Sequence, residues 1–323
     1  MIKSRGIIVH PDELTYLLPK RLEIAGLNVL GIHPAGGRDA ATTLDKAILL
    51  HKQQRQSEVI NQIKSLGISV VYQAHVMSWL LPRTEFDKHP EWFRQDEHGR
   101  RVQDFNLCVS NQEALEYVEK RTAELAELLY TGSDHWYFWP DDIAGAICRC
   151  DKCRSLSASD QQMIMVNAML RGLKKLNPSA KLCYLAYHDS ITPPTVIKPD
   201  AGVFLEYAPF NRDHDKPLTD ASSEKNASEI RALPGLFGLF GSKDATALDY
   251  WMDNSLRSGW KKPPKPFTLY ESVLHEDVRF YSSLGFEAVT CFGCFLGSDY
   301  TALYGAPPFE LYGKTLRRAA EEG

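Results

Sequence analysis

The stretch FWPDDIAGAICRCDKC, residues 138–153, places two adjacent aspartates ahead of three closely spaced cysteines. Carboxyl side chains are the groups that glycoside hydrolysis needs, one to protonate the leaving oxygen and a second as nucleophile or base. The thiols of Cys148, Cys150 and Cys153 could supply three ligands of a tetrahedral zinc site. The stretch alone does not decide between these two kinds of chemistry, because both depend on the elements that position the side chains.

Short apolar, β-branched segments alternate with helical patterns along the whole chain. Eight strands, hydrophobic enough to be buried on both faces, are predicted at residues 6–10, 28–33, 69–75, 135–139, 182–187, 202–207, 267–271 and 288–295. Helices are predicted at residues 58–66, 112–130, 160–176, 245–258, 276–284 and 308–320. This alternation predicts an α/β fold, a single (β/α)8 TIM barrel domain over residues 1–323. An open doubly wound sheet is the alternative, but the glycine-rich phosphate motifs typical of it are missing from the sequence.

Polar side chains collect at the carboxyl ends of these predicted strands, the face at which barrel active sites lie. They are His10, His33, His75, Asp141, Asp142, Tyr187, His188, Glu206, Tyr207 and Glu271. Two segments that are long for a compact domain, residues 78–109 and 208–244, also follow strand ends. This combination favours sugar chemistry, and Trp79, Trp92, Trp139 and Tyr207 could offer apolar platforms to sugar rings. Each residue taken singly could equally be structural, although an unpaired carboxylate inside an apolar strand is costly.

A fourth zinc ligand could come from Cys108, in the long segment that follows the third strand. Four thiolates leave no open coordination position, so such a zinc would be structural and would join two loops. The alternative is a set of free buried thiols. Cys291 and Cys294 point to opposite faces of the last predicted strand, which favours core packing over a metal or redox pair.

The composition of the chain limits the classes of partner that it can bind. The formal net charge is −4 and the sequence has no basic run, so nucleic-acid binding has no electrostatic basis. The sequence shows no secretory signal, no membrane-spanning stretch and an odd number of cysteines, and it therefore predicts a cytoplasmic protein with no membrane partner. We expect a carbohydrate substrate and no organic cofactor, and the sequence allows a homo-oligomer.

The cysteine pattern resembles the four-cysteine zinc site of family 42 β-galactosidases, whose acid/base lies in an Asn-Glu pair shortly before the cysteines. Asp141 and Asp142 occupy that place here. A longer resemblance is to the uncharacterised domain family 4838, found among bacterial glycan-degrading proteins. Its matching segments are HPEWFRQDEHGRRVQDFNLCVSN, FWPDDIAGAICRCDKC, LCYLAYHDSITPP, FLEYAPFNRDHDKPL, LDYWMDNSLRSGW and DVRFYSSLGFEAVTCF. This resemblance implies a glycoside hydrolase barrel acting on a bacterial or plant-derived glycan or oligosaccharide.

Role assignments follow as hypotheses. Asp142 is expected to be the general acid, which must hold its proton at neutral pH. Glu271 is expected to be the nucleophile, by similarity to barrels that pair strands 4 and 7, and Glu206 is its substitute as a base in an inverting scheme. Similarity to hexosaminidases with substrate-assisted catalysis gives a variant in which Asp141 orients an acetamido group. Further predicted sugar contacts are His10, His33, His75, Asn106, Trp139, Tyr187, His188, Tyr207 and Arg212.

Two readings from other classes stay open. One is a metal-dependent hydrolase that uses His10, His33 and His75, although the first strand supplies a single histidine where such enzymes have HxH. The other is a carbohydrate-binding barrel without catalysis.

Overall fold

The computed structural model describes residues 2–322, apart from the side chain of Arg55. Eight parallel strands pair in chain order into a closed barrel, so the predicted (β/α)8 fold is confirmed. The strands are β1 (Ser4–Val9), β2 (Val29–Ile32), β3 (Ser69–His75), β4 (His135–Trp139), β5 (Lys181–Ala186), β6 (Val203–Tyr207), β7 (Thr246–Asp249) and β8 (Ala288–Cys291).

Helices follow the strands. They are α1 (Leu18–Ala25), α2 (Ala40–His51), α3 (Gln54–Ser65), α4 (Met77–Leu80), α5 (Gln112–Leu129), α6 (Ala158–Leu176), α7 (Glu224–Ile230), α8 (Leu233–Phe240), α9 (Asn254–Arg257), α10 (Glu271–Leu284), α11 (Ser298–Tyr304) and α12 (Phe309–Glu322). No helix within residues 2–322 combines the length and the apolar character that crossing a bilayer requires.

The seventh strand was predicted in the wrong place. Residues 267–270 form no strand, and Glu271 is the first residue of α10. The true seventh strand is β7, whose four residues are all buried and pair with β8 from Thr246 opposite Ala288 to Asp249 opposite Cys291. The sequence analysis had placed a helix over these residues.

Packing divides the chain into two compact units. The first contains the residues up to His33, Leu50–Val71 and the residues from Leu205 on, and the second contains Pro34–Leu49 and Tyr72–Phe204. In the second unit, α5 and α6 approach so closely that a Cβ at Gly172 would lie 2.2 Å from the carbonyl oxygen of Glu119. In the first unit, Ile7, Ile8 and Val289 are fully buried within the strands. Each unit therefore has an apolar core of its own.

Candidate functional site

Asp141, directly after β4 and Pro140, is buried and held by its neighbours. Its Oδ1 accepts hydrogen bonds from the backbone N–H (2.9 Å) and the hydroxyl (2.8 Å) of Ser78, and its Oδ2 accepts from the N–H of Asn106 (2.7 Å). The N–H of Asp141 in turn donates to the side-chain oxygen of Asn106 (3.0 Å). Both carboxylate oxygens therefore bind the segment that follows β3, and they hold that segment against the end of β4.

Asp142, the next residue, has a different environment. Its side chain is 32% exposed, and its Oδ1 lies 3.9 Å from Nε2 of His75, which is buried. Because a carbonyl oxygen can only accept, Nδ1 of His75 must donate in its 2.6 Å contact with the oxygen of Pro140. This leaves Nε2 on the side of Asp142, at a distance too long for a direct hydrogen bond but short enough for one ligand group to bridge the two side chains.

Gly36, in the segment after β2, comes very close to this pair. A Cβ at this position would lie 2.8 Å from Cδ2 of His75 and 2.9 Å from Oδ2 of Asp142. Contacts under 3.0 Å would force one of the two side chains to move. The sequence analysis missed Gly36, and the only available signal was its place directly after a strand end.

A small cavity of about 50 Å³ opens beside these residues, at the ends of β3, β4 and β5. Its lining includes five of the predicted site residues, namely His75, Asn106, Asp141, Tyr187 and His188. The structure therefore brings together the predicted residues of these three strands.

Two residues of this lining have left-handed backbone, Asn106 with φ of 52° and His188 with φ of 48°. Residues other than glycine seldom adopt this conformation, and such strain concentrates at functional sites. The Asn106 side chain compensates by donating to the oxygen of Ala146 (3.0 Å) and accepting from Asp141. Its amide is thus occupied within the protein, so the predicted role of Asn106 as a sugar contact changes to that of a support for Asp141.

The four predicted zinc ligands are brought together. Cys108, Cys148, Cys150 and Cys153 are all buried, and their Sγ atoms all lie within 4.8 Å of one another. The Sγ of Cys108 is 3.7 Å from that of Cys150 and 3.9 Å from that of Cys153. Zn–S bonds of about 2.3 Å at tetrahedral angles separate the sulfurs by about 3.8 Å, whereas a disulfide requires about 2.05 Å. The spacing fits a tetrahedral zinc ion.

Backbone and side-chain donors surround these sulfurs. The N–H of Gln95 donates to the Sγ of Cys148 at 3.4 Å, and Nη1 of Arg101 lies 3.9 Å from the same atom. Because a metal binds the thiolate form of cysteine, these donors suit a metal site.

Two histidines of the first unit, His10 and His33, lie at the ends of β1 and β2. His10 and His33 stack at 5.8 Å between ring centroids, and Nδ1 of His10 donates to the carbonyl oxygen of His33 (2.8 Å). Within residues 2–322, the group of side chains close enough to hold a metal ion is the cysteine cluster, and it contains no histidine. The geometry therefore gives no support to a metal site made of His10, His33 and His75.

Glu206 and Tyr207 belong to different faces of β6. Tyr207 is fully buried and packs against Tyr281 (6.3 Å) and Phe286 (6.1 Å), on the side of the helices. Adjacent residues of a strand point to opposite faces, so Glu206 points to the inside of the barrel, where its side chain is also fully buried. The prediction that Tyr207 contacts a sugar is therefore corrected, and Glu206 keeps its inward position.

Arg212 is also buried, in a charged cluster. It donates to Oδ2 of Asp249 (2.9 Å) and Oδ2 of Asp277 (2.7 Å), and all three side chains are shielded from solvent. Asp277 further accepts from the N–H of Leu218 (2.6 Å) and the indole of Trp251 (2.8 Å). Burial raises the pKa of Asp277 to about 6. Arg212 therefore has a structural role, and its assignment as a sugar contact is corrected.

Glu271 and the tryptophans also differ from expectation. Because it begins α10, Glu271 does not end a strand, and its Oε1 accepts from the hydroxyl of Thr315 (3.2 Å). Trp139 is buried against His75, and the ring of Trp79 is covered by the guanidinium of Arg121 at 4.1 Å. Trp92 is buried and stacked on a histidine. The strand-end argument for Glu271 and the predicted role of these rings as open sugar platforms do not hold.

Glu13 is a buried carboxylate that the sequence analysis missed. It follows β1, and its two oxygens accept from the N–H groups of His10 (3.0 Å) and Leu296 (3.0 Å). Burial raises its pKa to about 8. The signal for it was weak, because the acidic residue lies in a polar segment of ordinary composition.

The comparison with protein families agrees with the resemblance found in the sequence. A model described as "Domain of unknown function (DUF4838)" matches residues 41–233, about three fifths of the chain. The chain belongs to this family. The DUF4838 match includes the two aspartates and all four clustered cysteines, and the resembling segments after residue 233 lie outside it. No curated protein matches the chain.

Solved structures with a similar fold are glycoside hydrolases. A β-galactosidase from the psychrophilic Marinomonas ef1 has a TM-score of 0.51 and 13% identity, and the match covers 89% of this chain and 53% of that one. A mutant family 5 enzyme from Prevotella bryantii B14, in complex with a xyloglucan tetradecasaccharide, has a TM-score of 0.52 and 10% identity, covering 96% and 86%. The DUF4838 chain thus spans about half the length of that β-galactosidase. At these identities the likeness establishes the shared barrel fold. The likeness of the cysteines to family 42 stays a prediction.

Proposed function

We propose that this protein is a glycoside hydrolase in which Asp142 is the general acid. One observation carries the proposal: Asp142 is a partly exposed carboxyl group 3.9 Å from His75, which lines the cavity, while its neighbour Asp141 is immobilised by hydrogen bonds. A general acid must reach the leaving oxygen, and Asp142 can do so while Asp141 fixes the backbone that carries it. The barrel fold shared with a β-galactosidase and with an enzyme in complex with xyloglucan supports a bacterial or plant-derived glycan as substrate.

His75 has a supporting role in this proposal. The hydrogen bond from Nδ1 to Pro140 fixes the ring, so Nε2 stays directed at Asp142 from 3.9 Å. The ring of His75 would thus hold Asp142, or a substrate group that bridges the two, in place while Asp142 donates its proton to the leaving oxygen.

The second catalytic group has one carboxyl candidate within the proposal, Glu206, and one alternative from the substrate itself. Glu206 points inward from β6 and would act as a base toward water, and no second carboxyl group is needed if the substrate supplies its own nucleophile. Glu271 is not retained, because its position at the start of α10 removes the argument from strand ends. The stereochemistry of the first-formed sugar, read by proton NMR, separates inversion by Glu206 from retention.

The experiment is hydrolysis of aryl glycosides by wild type and Asp142→Asn. A panel should include hexosides, uronides and N-acetylhexosaminides, each with a good and a poor leaving group. Loss of a general acid costs typically 10²- to 10⁴-fold, and the loss is largest for poor leaving groups, which need the proton most. We therefore expect Asp142→Asn to fail on poor leaving groups and to keep much of its activity on dinitrophenyl glycosides.

Glu127→Gln is the matched control, since Glu127 is an exposed carboxylate on α5 in the same unit. Equal losses for both kinds of leaving group in Asp142→Asn would contradict the general-acid assignment. Saturable sugar binding without any turnover in wild type would instead favour a carbohydrate-binding barrel.

We also propose that the cysteine cluster holds a structural zinc ion. The four buried sulfurs at tetrahedral spacing support it, and four thiolates leave no position for substrate. The ion would join the segment after β3, through Cys108, to the segment after β4. We expect close to one zinc per chain by elemental analysis, and a lower unfolding temperature in Cys108→Ser. Cys183→Ser is the control, because this cysteine is buried in β5 outside the cluster. Metal-free protein with unchanged stability in Cys108→Ser would refute the proposal.

A further inference from the structure

We propose that the cavity beside Asp142 is a specificity pocket for a compact methyl-bearing substituent of the sugar. The chemistry that it would recognise is a methyl group on a short arm, as in an acetamido group, an O-acetyl ester or the methyl of a 6-deoxy sugar. The inference rests on the proposed glycosidase function and adds to it the class of sugar.

The volume of the cavity limits what it can hold. This volume is about 50 Å³. A single water needs roughly 10–15 Å³ of such space, so the cavity takes about three to five non-hydrogen atoms. An acetamido group has four, whereas a whole pyranose ring with its hydroxyls has many more. The cavity is therefore large enough for a substituent and too small for a sugar ring.

Much of the cavity wall is apolar. Seven apolar side chains from the segment after β4, from α6 and from β5 line it: Pro140, Ile143, Ala146, Ile147, Ala158, Met165 and Leu185. A wall of this kind favours a methyl group over a hydroxymethyl group, because a hydroxyl placed there would lose its hydrogen bonds to water.

Most polar side chains of the lining already form hydrogen bonds within the protein. Gln162 donates to the oxygen of Leu185 (2.6 Å), and the hydroxyl of Ser190 is 2.8 Å from the oxygen of Tyr187. Asp141 and Asn106 bond each other, and Asp189 accepts from the N–H of Gly145 (2.7 Å). These hydrogen bonds occupy much of the polar part of the wall within the protein and leave its apolar side chains to contact a ligand, with the exposed carboxyl group of Asp189 at one side.

The cavity is also close to the proposed general acid. His75 lines the cavity, and the same ring lies 3.9 Å from the carboxyl of Asp142. A sugar whose glycosidic oxygen takes a proton from Asp142 would have its ring beside His75, so a substituent of that ring would be within reach of the cavity.

The test compares sugars that differ in one group. Matched aryl glycosides, with and without the acetamido, O-acetyl or 6-deoxy group, are assayed with the full chain. Burying or losing one methyl group in a hydrophobic pocket changes kcat/KM by roughly 10- to 200-fold. We expect at least tenfold preference for one methyl-bearing member, and that member names the source of the methyl group.

Two variants fill the cavity from different walls. Ala146→Leu fills the cavity from a position near Cys148, and Met165→Phe fills it from α6. A folding defect at the cysteines would therefore affect the first variant alone. Both should lose the preference for the methyl-bearing sugar. Ala302→Leu, at an exposed position of α11, should keep it. Equal kcat/KM for the methyl-bearing and parent sugars, or a preference that survives both variants, overturns the pocket and leaves the glycosidase proposal intact.

A second readout separates the pocket from catalysis. Saturation-transfer NMR with free N-acetylhexosamines and 6-deoxy sugars should give the strongest transfer at the methyl protons in wild type and weaker transfer in Met165→Phe. This result without turnover would support the pocket and count against the hydrolase. Absence of both turnover and methyl saturation would refute both proposals.

Discussion

Arg212 gives the sharpest stability prediction, because its guanidinium joins two buried carboxylates. In Arg212→Met, a side chain of similar length keeps the volume but removes the cation, leaving Asp249 and Asp277 buried without it. Breaking a buried ion pair by deleting one partner costs about 3–5 kcal/mol, which is a large part of the usual stability of a domain. We expect that loss in urea unfolding followed by circular dichroism at pH 7.

The cost in Arg212→Met should depend on pH. Burial already raises the pKa of Asp277 to about 6 from its usual value near 3.8, and loss of the cation raises it further. A carboxyl group whose pKa is raised on folding stabilises the native state below its unfolded pKa and loses that contribution as pH rises. The variant should therefore lose less stability at pH 5 than at pH 7.

The same variant separates the structural role of Arg212 from the sugar contact expected from the sequence. A structural guanidinium predicts lower stability with unchanged sugar affinity in the protein that remains folded. Combining Arg212→Met with Asp249→Asn and Asp277→Asn should recover part of the loss, because no charge then stays buried. Unchanged unfolding together with weakened sugar binding would refute the reasoning.

Three other substitutions give independent tests. Glu13→Gln should flatten the pH dependence of stability. The raised pKa of Glu13, about 8, predicts that the free energy of unfolding of the wild type falls by up to about 5 kcal/mol between pH 4.5 and 8. Equal slopes against pH in urea titrations of the two proteins would contradict this. Asn106→Ala should lower the free energy of unfolding by about 2–4 kcal/mol in thermal or urea unfolding, because two hydrogen bonds are lost and alanine is strained in a left-handed backbone. Asn106→Gly should cost less, because glycine adopts that backbone without strain. Gly36→Ala should lower kcat/KM at least tenfold, because the added Cβ displaces Asp142 or His75. The same substitution should change the free energy of unfolding little. Full activity of the variant would show that the close approach is unimportant.

The barrel could be predicted from the sequence because seven of its strands are buried apolar runs next to clear helices. β7 could not, since it is only four residues long and continues into residues with helical spacing. The segment at residues 267–271 alternates like a strand but forms extended chain and then the first turn of α10. Short buried strands are recognised by their partners in the sheet, and the sequence does not show those partners.

The candidate site was predictable where chain order fixes position. Asp141 and Asp142 follow β4, and three of the cysteines are close in sequence, so only Cys108 had to be brought from the preceding loop. Strand alternation could have shown that Glu206 and Tyr207 cannot both face the inside of the barrel. The hydrogen bonds that occupy the Asn106 side chain, by contrast, join loops that are distant in sequence, and no local pattern reveals them.

The cysteine cluster has a consequence for the order of folding. All four sulfurs belong to residues that precede Phe204, within a unit that has its own core. The cluster can therefore form during synthesis, before residues 205–323 have been made, since parts of a chain fold as they emerge. At that stage β5 has no following strand to pair with, and an unpaired strand edge invites association with other chains. A zinc ion bound at the cluster, as proposed above, would join the segments after β3 and β4 while the later strands are still missing.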